Sequence, residues 1–317
     1  MSTIDQSPGT GPDITVGVDG TSTALRAVEW AVAEARLRGV GLQILHAAPY
    51  ATGPTPNLGQ QRADTILARA YTVARRAEPA VTITTRTSTE QPVAALLDAS
   101  ARADLLVVGM GGSSRSGLLI GSTALSVSGQ ATCPVIVARG RRQPRDTGRP
   151  VLVGVDDVLN DAAALNFAFA DARRHAGPVV VLHARHGVGE INDRFLGTER
   201  IGNIVDLTHL SRALTPWNEA YPEVATKIDI VNGHPSSALV GAAAHARMLV
   251  VGSRGRSAPA RALFGSTSRE LLRRSPTPVA VLPSGAISDP LPNRTEPERV
   301  VVSGTGIEHP HDNGQLW

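Results

Sequence analysis

Two stretches of this chain combine residue types suited to holding phosphate. The sharper is Leu249-Val250-Val251-Gly252-Ser253-Arg254-Gly255 followed by Gly265-Ser266-Thr267, which reads Gly-x2-Gly-x9-Gly-Ser. A short apolar run empties into glycines, and a third glycine leads through Ser-Thr into a helical segment, Arg269 to Arg274. Glycine lets a backbone approach a ligand closely. A helix beginning there offers unpaired N–H groups and the positive end of its dipole at one point, which suits an anion. The first half repeats the arrangement, with Leu105 to Val108, then Gly109, Gly111 and Gly112, then Gly121-Ser122-Thr123. Eight residues rather than nine separate Gly112 from Gly121, so this loop is one residue short. Arg254, Arg256 and Arg261 add charge for hydrogen bonds to phosphate beside the second loop, and Arg115 is the counterpart in the first. The bland readings are a ligand-free glycine turn and a solvated loop. Asp19 and Asp156 each close a β-branched run and could touch a ligand or face Mg²⁺. Neither has a second catalytic group at fixed spacing, so a general-base role lacks support.

The elements that must position these residues repeat in order. Ile14 to Asp19, Val40 to Leu45, Val81 to Thr85, Leu105 to Val108 and Val135 to Ala138 read as strands. Between them, helices are expected from a Ser22 cap to Gly39, from Gln61 to Arg76, over Pro92 to Ala101 and over Ser122 to Gly129. The order restarts with Val151 to Asp156, Val179 to Ala184, Ile228 to Val231, Leu249 to Val251 and Val279 to Leu282. A longer loop, Gly187 to Leu207, accounts for most of the length difference between the halves. Alternating strands and helices imply right-handed crossovers and a parallel sheet covered on both faces. Ligands of such sheets bind beyond the carboxyl ends of the strands, where the strand order reverses. The expectation is an α/β protein of two tandem Rossmann-like domains, each a doubly wound, open, five-stranded parallel sheet. Residues 1–12 read as a disordered leader, 13–139 as the first domain, 140–149 as a linker, 150–283 as the second domain and 284–317 as a flexible tail.

Composition narrows the classes. The chain has 317 residues, 42% hydrophobic and 19% charged, enough for two cores. Net charge is only +3 and aromatics are 3%, which argues against nucleic acid as a partner. The single cysteine, Cys133, excludes an internal disulfide and a cysteine-based zinc cluster, and suits a reducing cytosol. No apolar h-region and no run long enough to cross a bilayer are present, so a cytoplasmic protein without membrane insertion is expected. The only lysine, Lys227, lies far from any glycine loop, which removes a Walker-type phosphate loop. A Gly-x-Ser-x-Gly elbow is also absent. His183 and His186 invite a metal reading, but His183 matches His46 at a strand end, where a structural role is the plainer one.

On Gly17-Val18-Asp19 and Gly154-Val155-Asp156, the Leu-His-Ala strand ends and the glycine loops, the chain resembles the universal stress protein family. It looks like the tandem actinobacterial form over roughly residues 13–283. The resemblance implies ATP, with Mg²⁺, held by Gly17, Asp19, Ala47, Gly109, Gly111, Gly112, Arg115, Gly121, Ser122 and Thr123 in the first half. In the second half it implies Gly154, Asp156, Ala184, Gly252, Ser253, Arg254, Gly255, Arg256, Gly265, Ser266 and Thr267. Against the family pattern, Asp157 replaces the glycine after the strand-end aspartate, and Arg247 replaces an acidic residue before the fourth strand. Asp157 could repel phosphate or help hold Mg²⁺. The implied role is a nucleotide-dependent regulatory module in a stress response, a homodimer with an unknown protein partner. The alternatives are a slow ATP hydrolase and a scaffold with empty sites, its domains paired through their fifth strands.

Overall fold

The computed structural model describes residues 14–52, 56–110, 121–139, 148–185, 198–253 and 265–283. Gly111, Gly112, Arg115, Arg254, Gly255, Arg256, Arg261 and His186 lie outside these residues, as do the leader, most of the linker and the tail. The first half runs β1 Ile14–Val18, α1 Ser22–Arg38, β2 Leu42–Ala47, α2 Pro56–Ala77, β3 Ile83–Ser88, α3 Pro92–Ser100, β4 Leu105–Gly109, α4 Ser122–Gln130 and β5 Val135–Ala138. The second runs β6 Val151–Gly154, α5 Ala162–Arg174, β7 Val179–Arg185, α6 Thr198–Ala213, α7 Thr215–Ala220, β8 Thr226–Asn232, α8 Pro235–Ala243, β9 Met248–Gly252, α9 Ser266–Arg274 and β10 Val279–Leu282.

Each half is a parallel sheet with the first and fourth strands adjacent at its centre, so the order reverses there as expected. The two sheets are one, however. β5 pairs antiparallel with β10, Val137 opposite Val279, Ile136 opposite Ala280 and Val135 opposite Val281. The result is a continuous ten-stranded sheet, β3-β2-β1-β4-β5-β10-β9-β6-β7-β8. Strand alternation divides its side chains between two cores. Ile14, Val16, Ile44 and Ile136 pack with α1, α2 and α5 on one face, while Leu106, Val108, Val135 and Val137 pack with α3, α4, α8 and α9 on the other. Both cores run across the junction of the halves, with Leu152, Leu249 and Val281 in the second. Each fully buried aliphatic side chain contributes about 1.5–3 kcal/mol, so the apolar side chains shared across the junction help hold the halves together.

Several boundaries differ from expectation for physical reasons. Thr21, not Ser22, caps α1: its Oγ1 accepts from Ala24 N at 3.2 Å, and Ser22 is the first helical residue. Gly39 does end α1, at φ 69°. β3 starts at Ile83 rather than Val81, because Val81 buries its side chain in the turn before the strand and the strand itself is rich in threonine. Part of the expected loop from Gly187 to Leu207 is helix, since α6 begins at Thr198.

Candidate functional site

The strand-end aspartates are set by a repeated clamp. His46 Nδ1 donates to Val18 O at 2.7 Å, and His183 Nδ1 donates to Val155 O at 2.9 Å. Each imidazole fixes the carbonyl just before Asp19 or Asp156, which confirms a structural role for both strand-end histidines. Ala47 and Ala184, one residue further, sit at the ends of β2 and β7 opposite Ser88 and Val231.

Beyond the aspartates the halves diverge. Asp19 is exposed, and its Oδ1 accepts from Thr21 N at 2.9 Å and from Thr21 Oγ1 at 2.6 Å. Gly20 makes this turn at φ 84°, a conformation L side chains rarely adopt, with Ile66 against it. In the second half Asp157 Oδ1 accepts from Leu159 N at 2.9 Å, and Asp161 Oδ2 accepts from Asp156 N at 2.8 Å and Asp157 N at 3.1 Å. Asp157 thus ties its own loop. Burial pushes the Asp161 carboxyl above its ordinary value, and the neighbouring Asp156 and Asp157 add to that against the two amide bonds. Three carboxylates therefore gather where the first half has one.

At the same sheet edge lie the starts of α4 and α9. Both are capped by glycine, Gly121 and Gly265, with no side chain among the described residues bonding the first amides and no acidic residue in the first turn. Ser122 and Thr123, like Ser266 and Thr267, supply the opening residues of these helices, so their N–H groups face the edge with the dipole's positive end. Gly265 N donates to Ser253 O at 3.2 Å and Ser253 N to Leu282 O at 2.8 Å, which closes the base of the loop and leaves Ser253 buried. Ser268 Oγ donates to Gly252 O at 3.0 Å, a tie for which Ala124 offers no counterpart.

The predicted glycines do different things. A Cβ on Gly109 would meet Thr23 O at 2.8 Å, so its absence lets the end of β4 touch the start of α1. Gly17 and Gly154 lie within the strands, where a Cβ would meet Leu96 and Leu239 at 2.8 and 2.9 Å. Those two serve helix packing in the structure. At Gly265 the nearest atom among the described residues is 3.7 Å away, so a Cβ there clashes with none of them.

Sequence reasoning missed a side-chain chain beside α9. Ser236 Oγ donates to Glu270 Oε2 at 2.8 Å and lies 2.8 Å from His234 Nδ1. Arg274 and then Ser236 hold the Glu270 carboxyl below its ordinary value. With Ser236 buried and donating to a carboxylate, its hydroxyl is a link between α8 and α9 rather than a nucleophile. The first half has Gln91, Val93 and Ser126 at these positions, so aligning the two halves is the signal that would have found it.

Comparison with known proteins places this architecture. The pattern of the universal stress protein family matches residues 12–139 and 148–283. A universal stress protein of Mycobacterium tuberculosis is 32% identical over 284 residues, covering 84% of this chain and 95% of the relative. One from Mycolicibacterium smegmatis is 31% identical over 287 residues, covering 85% and 96%. Among solved structures, a universal stress protein from Archaeoglobus fulgidus superposes with a TM-score of 0.63 at 18% identity, covering 86% and 98%.

Proposed function

Because the chain belongs to the universal stress protein family, we propose that it is an ATP-binding module with one site at the carboxyl edge of each half. One observation carries this reading. A strand-end aspartate and a glycine-capped helix start, free of any side-chain cap, occur at one sheet edge beside the strand reversal, and they occur twice. The aspartate suits a ribose hydroxyl, and the open amides suit phosphate. Mg²⁺ would offset the charge of the phosphates beside these carboxylates; Asp157 is engaged by its own loop and is the weaker candidate ligand. The role proposed is regulatory: phosphate on the helix-start amides would favour one state of the chain and so change the surface a protein partner meets. A homodimer would use a surface other than β5 and β10, which are paired within the chain.

The two sites are unequal in this reading. ATP carries several negative charges, and Asp157 and Asp161 add two carboxylates beside Asp156, so the first half is the tighter binder. Hydrolysis is not part of the proposal, because no base stands beside the free amides among the described residues. Calorimetric titration of the full chain with Mg-ATP tests the reading, with binding in the micromolar range expected. No heat and no retained nucleotide at millimolar Mg-ATP would end it.

A further inference from the structure

The junction of the halves buries a group of charges that the nucleotide reading does not use. Glu34 of α1 is 0% exposed and lies among residues of the other half. Its Oε2 is 3.3 Å from Arg247 Nη2 and 3.3 Å from His175 Nε2, and its Oε1 accepts from Arg38 Nε at 2.9 Å. Arg247 Nη1 lies 3.3 Å from Asp171 Oδ2, and its Nη2 also lies against His175 Nε2. Aromatic rings cover the cations reciprocally: Arg247 of the second half sits 6.0 Å from the Trp30 ring, and Arg38 of the first half 5.5 Å from the Phe167 ring. Burial raises the Glu34 carboxyl, but His175, Arg38 and Arg247 outweigh it and hold it well below its ordinary value. At Asp171 burial prevails and pushes the carboxyl up.

Glu34, Asp171 and His175 offer three metal-ligating atoms within 4.8 Å of one another. The Arg247 guanidinium already stands between the two carboxylates, so the cation this group needs is part of the chain.

The cluster has an internal symmetry. Glu34 and Asp171 both lie fifteen residues past the aspartate that closes the first strand of their half, Arg38 and His175 nineteen, and Trp30 and Phe167 eleven. Each pair is one position seen twice across the β5–β10 axis. Arg247 breaks the symmetry, for the residue before β4 in the first half is Asp104. A pairing of two first halves through the same surface would bring two Glu34 carboxylates together with Asp104 in place of the arginine. Each Glu34 would keep its own Arg38, but no guanidinium would stand between the two carboxylates to join the halves, and bringing two buried carboxylates together without one is unfavourable.

We propose that Arg247 keys the second half to the first half of its own chain, so that this surface accepts the unlike half and rejects the first half of another chain. The departure from the family pattern at residue 247 is then the partner of a buried acid 213 positions away.

The test uses the full chain carrying Cys133→Ala and two reporters. With Ile136→Cys and Ala280→Cys, which face each other across β5 and β10, oxidation gives an intrachain disulfide in nearly every molecule. Arg247→Met in that background lowers its yield several-fold and the thermal midpoint by about 10 °C, the loss expected when one partner of a buried ion pair is removed. Adding Glu34→Gln and Asp171→Asn recovers most of both, because the two carboxylates that Arg247 paired are then neutral and the defect is unpaired charge rather than a cavity. Unchanged yield and midpoint in Arg247→Met, or no recovery with Glu34→Gln and Asp171→Asn together, overturns the proposal. Should Arg247→Met fail to fold, Glu34→Gln alone lowers the intrachain yield at least twofold, and an unchanged yield overturns it. The second reporter is Ile136→Cys alone, which gives no disulfide-linked dimer in a chain with Arg247 intact. A dimer there contradicts the key directly, since first halves would then be pairing with each other.

Discussion

In the first half two residues separate the strand-end aspartate from the start of its helix, Gly20 turns at φ 84° and Thr21 caps the helix. In the second half five residues do the same, none of them in the left-handed region, and Asp157 and Asp161 hold the loop by accepting its own amides. The strands on either side align residue for residue, so the difference is local. A β–α turn can be closed by a residue that tolerates an unusual φ or by side chains that satisfy backbone donors. The second solution loads the edge proposed for nucleotide with negative charge. Duplicated sites on one sheet therefore need not bind equally, although their glycine-capped helices match.

Substitutions that exchange features between the halves sharpen this contrast. The largest expected effect is at Gly109. Gly109→Ala pushes a Cβ against backbone at the start of α1, costs about 1–3 kcal/mol and lowers the first half's thermal midpoint by several degrees. Gly265→Ala brings its Cβ only into ordinary van der Waals contact with the described residues, 3.7 Å from Ser253 O, so it leaves the midpoint within about 1 °C and isolates any ligand effect. Equal midpoint losses from the two, read by calorimetric melting, would remove the distinction. Next is Gly20→Asp, which imports the second half's residue. It is strained at φ 84° and crowds Ile66, and a destabilisation of about 1–3 kcal/mol in urea is expected. The reverse change, Asp157→Gly, is smaller, costing about 1 kcal/mol through the lost amide bonds.

Smallest is Asp161→Asn. Its folded carboxyl is raised by burial, so the native state holds the proton more tightly than the unfolded chain. That stability is present below the ordinary carboxylate range and lost as pH rises through the raised value. Asparagine still accepts the two amide bonds without the charge. The variant should gain on the parent between about pH 4 and pH 7, by about 1–2 °C, with no gain at the acidic end. A gap that stays constant with pH would show that the Asp161 charge is not the cause.

How much of this was legible in the sequence depended on how local each feature is. The strands read correctly because buried parallel strands are continuous apolar runs, and Leu105 to Val108 or Val279 to Leu282 can be little else. The aspartates and the glycine-capped helix starts were legible through spacing alone. α6 was not, because Gly197 and Gly202 read as loop residues although Ile201, Ile204, Leu207 and Leu210 recur every third position. The cap of α1 was misplaced by one residue because Thr21 and Ser22 are both good caps and only geometry separates them. Asp161 was invisible, since its role depends on a helix starting three residues late. Arg247 was seen as an oddity, but its partner Glu34 lies in the other half, and no local pattern reaches that far.

The most direct test of the unequal-site account is calorimetric titration of the full chain with Mg-ATP, comparing the parent, Asp19→Ala and Asp156→Ala. Removing a carboxylate bound to a ribose hydroxyl weakens binding about tenfold or more. The account predicts that Asp19→Ala abolishes the tighter phase while Asp156→Ala leaves that phase within about twofold of the parent. A tight phase that survives Asp19→Ala and disappears in Asp156→Ala would contradict it.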